Sequence, residues 1–75
     1  MHSIGSFITA RRKMLRISQK DLASLAGVGI NTLVKIERGE GNPTISVLQK
    51  VMDVLGLELT CNVKTLNDET SGGLQ

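Results

Sequence analysis

The sequence predicts an all-α bundle of short helices followed by one β-strand, and three observations predict it. Four stretches carry apolar residues at helical spacing, each opened by a capping residue or closed by a glycine. After Gly56 the apolar period drops from about 3.6 residues to 2. Apolar residues make up 40% of the 75, enough for a core, yet only Phe7 is aromatic, so that core must be aliphatic.

The first helix is expected from Ile4 to Leu15. Ser3 can cap it, and Ile4, Phe7/Ile8, Arg11 and Leu15 follow the helical repeat, while Gly5 weakens the first turn. Its last turn holds Arg11, Arg12 and Lys13, which suit the negative end of the helix dipole. Ser18 starts a second helix, with Ser18 and Asp21 in an S-x-x-D pattern related to the capping box. Leu22, Ala23, Leu25 and Ala26 supply its buried side, and Gly27 stops it. A third helix begins at Gly29 or Ile30 and ends at Arg38, with Gly39 as its stop. At 100° per residue, Leu33, Ile36 and Glu37 share one face, and Asn31, Val34, Lys35 and Arg38 share the opposite one. The turn EGNPT leads to Thr44, the cap of a fourth helix over residues 45–55 whose core stripe is Ile45, Leu48, Val51/Met52 and Leu55.

Beyond Gly56, Leu57, Leu59, Cys61 and Val63 alternate with polar residues, the pattern of a half-buried strand over 57–64. No other segment reads as a strand, and a strand alone leaves its backbone groups unpaired. Its natural partner is the same strand of a second molecule, and small domains often gain stability by dimerising. The tail NDETSGGLQ, residues 67–75, reads as disordered.

The net charge of +2 conceals a division. Residues 1–39 carry seven basic side chains against Asp21 and Glu37, whereas residues 40–75 carry Lys50 and Lys64 against five acids. A basic half of net +5 points to a polyanion such as nucleic acid. Cys61 is the only cysteine and His2 the only histidine, so neither a disulfide framework nor a metal-ligand cluster is expected. Cys61 keeps phase with the apolar strand residues and reads as a small buried hydrophobe. No nucleophile–base constellation and no phosphate-binding glycine loop appears, so neither catalysis nor a cofactor is expected. With no leader pattern and no apolar run long enough to span a bilayer, a cytoplasmic location is expected.

Two short helices joined by the tight turn GVG, the second basic on its free face, form a helix-turn-helix pattern. The residues S-Q-x-D-L-A-x-x-A-G-V, I-E-R-G, N-P-T and V-L-G-L resemble the phage-repressor and Cro (XRE-type) helix-turn-helix family from residue 4 to about 57, in register and without gaps. The resemblance implies a lambda-repressor-like bundle of four to five helices that binds DNA as a dimer. Here a strand stands in place of the fifth helix, a departure that is similar to the antitoxins partnered with HipA-type kinase toxins. One domain over residues 1–66, its dimerising strand included, is the expected organisation.

The resemblance also assigns roles. Asn31 and Lys35 fall at base-reading positions, where Asn can pair with adenine and Lys with guanine. Ile30 stands where the family often has a polar reader; it either packs on a thymine methyl or folds back into the core. Gln19, Thr32 and Asn42 match phosphate-contacting positions, and Lys20, Arg16 and Arg38 are further candidates. Arg12 and Glu37 match an interhelical ion pair. Gly29 falls where the family usually has a Ser or Thr cap, and supplies no side-chain oxygen. The resulting expectation is a homodimeric repressor on a pseudo-palindromic operator, an autoregulatory antitoxin of a HipA-like kinase in its specific form. The competing readings are a stand-alone phage-type or restriction-control regulator, and a protein-interaction module that has lost DNA binding.

Overall fold

The computed structural model describes residues 3–60, which form four helices in the order α1 (Ile4–Met14), α2 (Gln19–Ala26), α3 (Ile30–Arg38) and α4 (Ile45–Val54). Three of the four start on a side-chain cap. The backbone N–H of Ser6 donates to Ser3 Oγ at 3.1 Å, that of Asp21 to Ser18 Oγ at 3.0 Å, and that of Val47 to Thr44 Oγ1 at 3.1 Å. Only the serine half of the S-x-x-D box forms among the described residues, because aspartate is one methylene shorter than the glutamate that reaches back in a full box. α1 ends one residue earlier than the spacing suggests, and Arg16 takes the left-handed conformation (φ 59°) that redirects the chain toward α2.

α1 packs on α3, and α2 packs on both α3 and α4. The core joins Ile8, Leu22, Ala23, Ala26, Leu33, Ile36, Val51, Met52 and Leu55, with Leu48, Leu57 and Leu59 among the half-buried residues around it. The aliphatic core is as expected, but its membership differs at three points. In α1 the inward line is Gly5, Ile8 and Arg12, so Ile4, Phe7 and Leu15 stay exposed, and the one aromatic side chain is 55% accessible. In α2 the buried arc spans Leu22, Ala26 and Ala23; Leu25 lies outside that arc and is 68% exposed. Ile45 opens α4 ahead of the packed turns and is 66% exposed beside an open depression shared with Leu48, Gln49, Leu59 and Thr60.

After α4, Gly56 turns the chain (φ 70°) and the N–H of Leu57 closes on the carbonyl of Met52 at 2.9 Å. Residues 57–60 carry no regular secondary structure in the single chain, with Leu57 and Leu59 half-buried against the core. The rest of the proposed strand, Cys61 and Val63 included, lies outside the described residues, as do His2 and the tail. Among the described residues no helix is long and apolar enough to cross a membrane.

Candidate nucleic-acid interface

The turn between α2 and α3 fixes the angle between the two helices. Gly27 adopts φ 70°, a conformation costly for a residue with a Cβ, and the N–H of Val28 bonds the carbonyl of Ala23 at 3.0 Å. Gly29 then enters α3 in an extended conformation with no side-chain cap. Gly39, at φ 76°, ends the helix after Arg38.

α3 turns Leu33 and Ile36 fully inward and leaves Asn31, Thr32, Lys35 and Arg38 exposed on its outer side. Val34, the apolar residue of the outward face, is half-buried. Ile30 is 42% exposed, which removes it from the core and puts its apolar side chain at the accessible start of the helix. Between the flank of α3 and the loop that follows it, Thr32 and Lys35 join Glu40, Gly41 and Asn42 around an open depression of about 230 Å³. Two residues assigned separately to phosphate contact, Thr32 and Asn42, thus line one recess together with the base-reading candidate Lys35. Glu40 sits there too, an acidic neighbour that the motif pattern did not single out. Arg16 and Lys20 are exposed at the start of the α2 unit.

Behind this surface lies a polar cluster. Arg12 Nε donates to Glu37 Oε2 at 2.7 Å and Arg12 Nη2 donates to Oε1 at 3.1 Å, a fork with 11% and 5% of the two side chains accessible. Arg12 Nη1 also donates to the carbonyl of Ile17 at 2.9 Å. Burial pushes the Glu37 carboxyl up, but hydrogen bonds from Arg12, Gln19 and Thr9 outweigh it and hold the group below the ordinary glutamate value. Gln19, assigned to phosphate contact, directs its Nε2 to Glu37 Oε1 at 3.0 Å. This link joins positions 18 residues apart, and no local pattern signals it.

Four helices with a capped α2, a glycine turn and a solvent-facing polar α3 define a helix-turn-helix module. A Helix-turn-helix family model matches residues 8–60, and the chain belongs to the XRE-type helix-turn-helix family. It is 40% identical over 57 residues to an uncharacterized HTH-type transcriptional regulator of Haemophilus influenzae, covering 76% of this chain and 57% of that protein. It is 34% identical over 61 residues to the immunity repressor protein of Bacillus phage phi105, covering 81% of this chain and 42% of that one. The chain therefore spans about half the length of these curated relatives. Among solved structures, the master regulator for biofilm formation SinR in complex with DNA superposes with a TM-score of 0.68 at 41% identity, covering 73% of this chain and 89% of that one.

Proposed function

We propose that the protein is a cytoplasmic, sequence-specific DNA-binding transcriptional repressor, acting as a homodimer on a pseudo-palindromic operator. The observation that carries this reading is the outer face of α3, where Asn31 and Lys35 are exposed one turn apart beside the recess of Thr32 and Asn42. A helix presenting such a face enters the major groove, Asn31 and Lys35 meeting base edges and Ile30 a thymine methyl. Gln19, Thr32 and Asn42 hold phosphates on either side, and Lys20, Arg16 and Arg38 add positive charge. The family relation and the repressor among the relatives support the regulatory role. Occupying a promoter, its own included, would repress by steric exclusion of polymerase. A HipA-like kinase partner rests on the strand pattern alone.

Selection of bound DNA from a random pool, followed by titration against salt, tests the reading. Affinity should fall steeply as salt rises, because phosphate contacts release counterions. A flat salt response would instead support an interaction module without DNA binding. Lys35→Ala is expected to relax preference at one base pair by roughly 1–3 kcal/mol while binding to other positions is kept. Unchanged operator preference would remove Lys35 from the reading set. For the dimer, Leu59→Pro is expected to convert the protein to a monomer in sedimentation, since proline cannot donate to a strand ladder. A dimer that survives this change places the interface away from residues 57–64. Two half-sites about 34 Å apart are the footprint expected of the intact dimer.

A further inference from the structure

We propose that Glu37 is a positioning residue for DNA binding, acting through Gln19; this rests on the DNA-binding reading above. Glu37 Oε1 accepts from Arg12 Nη2 and from Gln19 Nε2 at once, so one carboxylate oxygen joins α1, α3 and the first residue of α2. The carboxylate is itself held by a second bond, Arg12 Nε to Oε2 at 2.7 Å, and is almost wholly buried. It is therefore a fixed acceptor, unlike a solvated side chain that swings with its own rotamers.

A glutamine at the start of a helix normally samples many rotamers, and ordering it on binding lowers affinity. Gln19 is half-buried, and the bond to Glu37 uses one of its two amide protons. The second proton remains to be donated, next to the helix N-terminus, where backbone N–H groups favour an anion. Anchoring Gln19 before DNA arrives removes an ordering cost that would otherwise fall on complex formation. The Arg12–Glu37 pair then does more than join α1 to α3, since it also aims a phosphate contact on α2.

The test separates positioning from stability by replacing both members of the buried pair. Apolar residues of similar volume often substitute for a buried ion pair without loss of stability. Arg12→Met/Glu37→Met is therefore expected to stay folded by circular dichroism, yet to bind operator about threefold to tenfold more weakly. Gln19→Ala in the natural background should show a similar loss, equal on operator and on unrelated DNA, as phosphate contacts carry no sequence information. Adding Gln19→Ala to the Met/Met variant should then cost clearly less than it does in the natural background. Additive losses, or a Gln19→Ala protein with full affinity, would overturn the proposal. A second measurement needs no substitution at the pair. The side-chain amide of Gln19 in the free natural protein should have an NMR order parameter close to that of rigid backbone, about 0.85. A value below about 0.6, typical of a flexible group, overturns it as well. Absence of any salt-dependent DNA binding by the natural protein would instead defeat the DNA-binding reading, whatever the order of Gln19.

Discussion

Glu37→Ala is expected to lower the unfolding free energy by about 3–5 kcal/mol, measured as a drop in urea midpoint at unchanged slope. The size follows from what is left behind. Arg12 would keep its charge at 11% accessibility with only the carbonyl of Ile17 to receive it. Gln19 would lose its acceptor at the same time. At about 0.05–0.15 kcal/mol per residue, a domain of this size has on the order of 4–11 kcal/mol in total, so the variant should lose between about a third and nearly all of its stability. A loss below about 1 kcal/mol would show that the pair behaves like an exposed surface bridge. The pair also sets an acid limit. Glu37 titrates below its ordinary value of 4.5 in the folded chain, so its contribution is present above that value and is lost as pH falls through the lower folded one. Stability of the natural protein should therefore decline on the acid side in that window, and the Arg12→Met/Glu37→Met protein should lack this part of the decline.

What could be read from the sequence was what is decided locally. Ser3, Ser18 and Thr44 act on backbone groups three residues away, and Gly27 and Gly39 stop helices through their own dihedral angles. The helix limits consequently lie within one residue of those the sequence implies. The outward face of α3 was legible for a similar reason, since Leu33 and Ile36 fix the inward direction and Asn31, Lys35 and Arg38 follow by rotation. The Arg12–Glu37 pair came from family resemblance; its spacing in the chain says nothing. What escaped depends on where other elements stop. Leu25 and Ile45 have the hydrophobicity of core residues but no neighbour placed to cover them in the described chain. Gln19 and Glu37 meet only because α2 and α3 are already packed.

The inward face of α1 is set by a residue with no side chain, Gly5, which is buried against α3. Gly5→Ala is expected to destabilise the domain by roughly 2 kcal/mol or more, although helix propensity alone argues for a gain of about 1 kcal/mol. A Cβ at this position would run into the carbonyl oxygen of Ile36 and lie 2.9 Å from that of Glu37. Both obstacles are backbone atoms of α3, which cannot rotate away as a side chain could. Gly5 is thus a point of close approach between α1 and α3, and its missing side chain, invisible to a count of apolar residues, lets α1 sit against α3 on the face that buries Ile8 and leaves Phe7 exposed. Arg12 lies seven residues further on along the same face, so forcing the helices apart at Gly5 should also stretch the Arg12–Glu37 fork. The expected result is a melting temperature lower by about 10 °C, at roughly 4–8 °C per kcal/mol for a domain of this size. Ala10→Gly, on the exposed side of the same helix, is the control and should follow propensity with a loss near 1 kcal/mol. If Gly5→Ala instead melts at or above the natural protein, α1 does not approach α3 this closely, and the burial that makes Arg12–Glu37 strong would have to be weaker than the geometry implies.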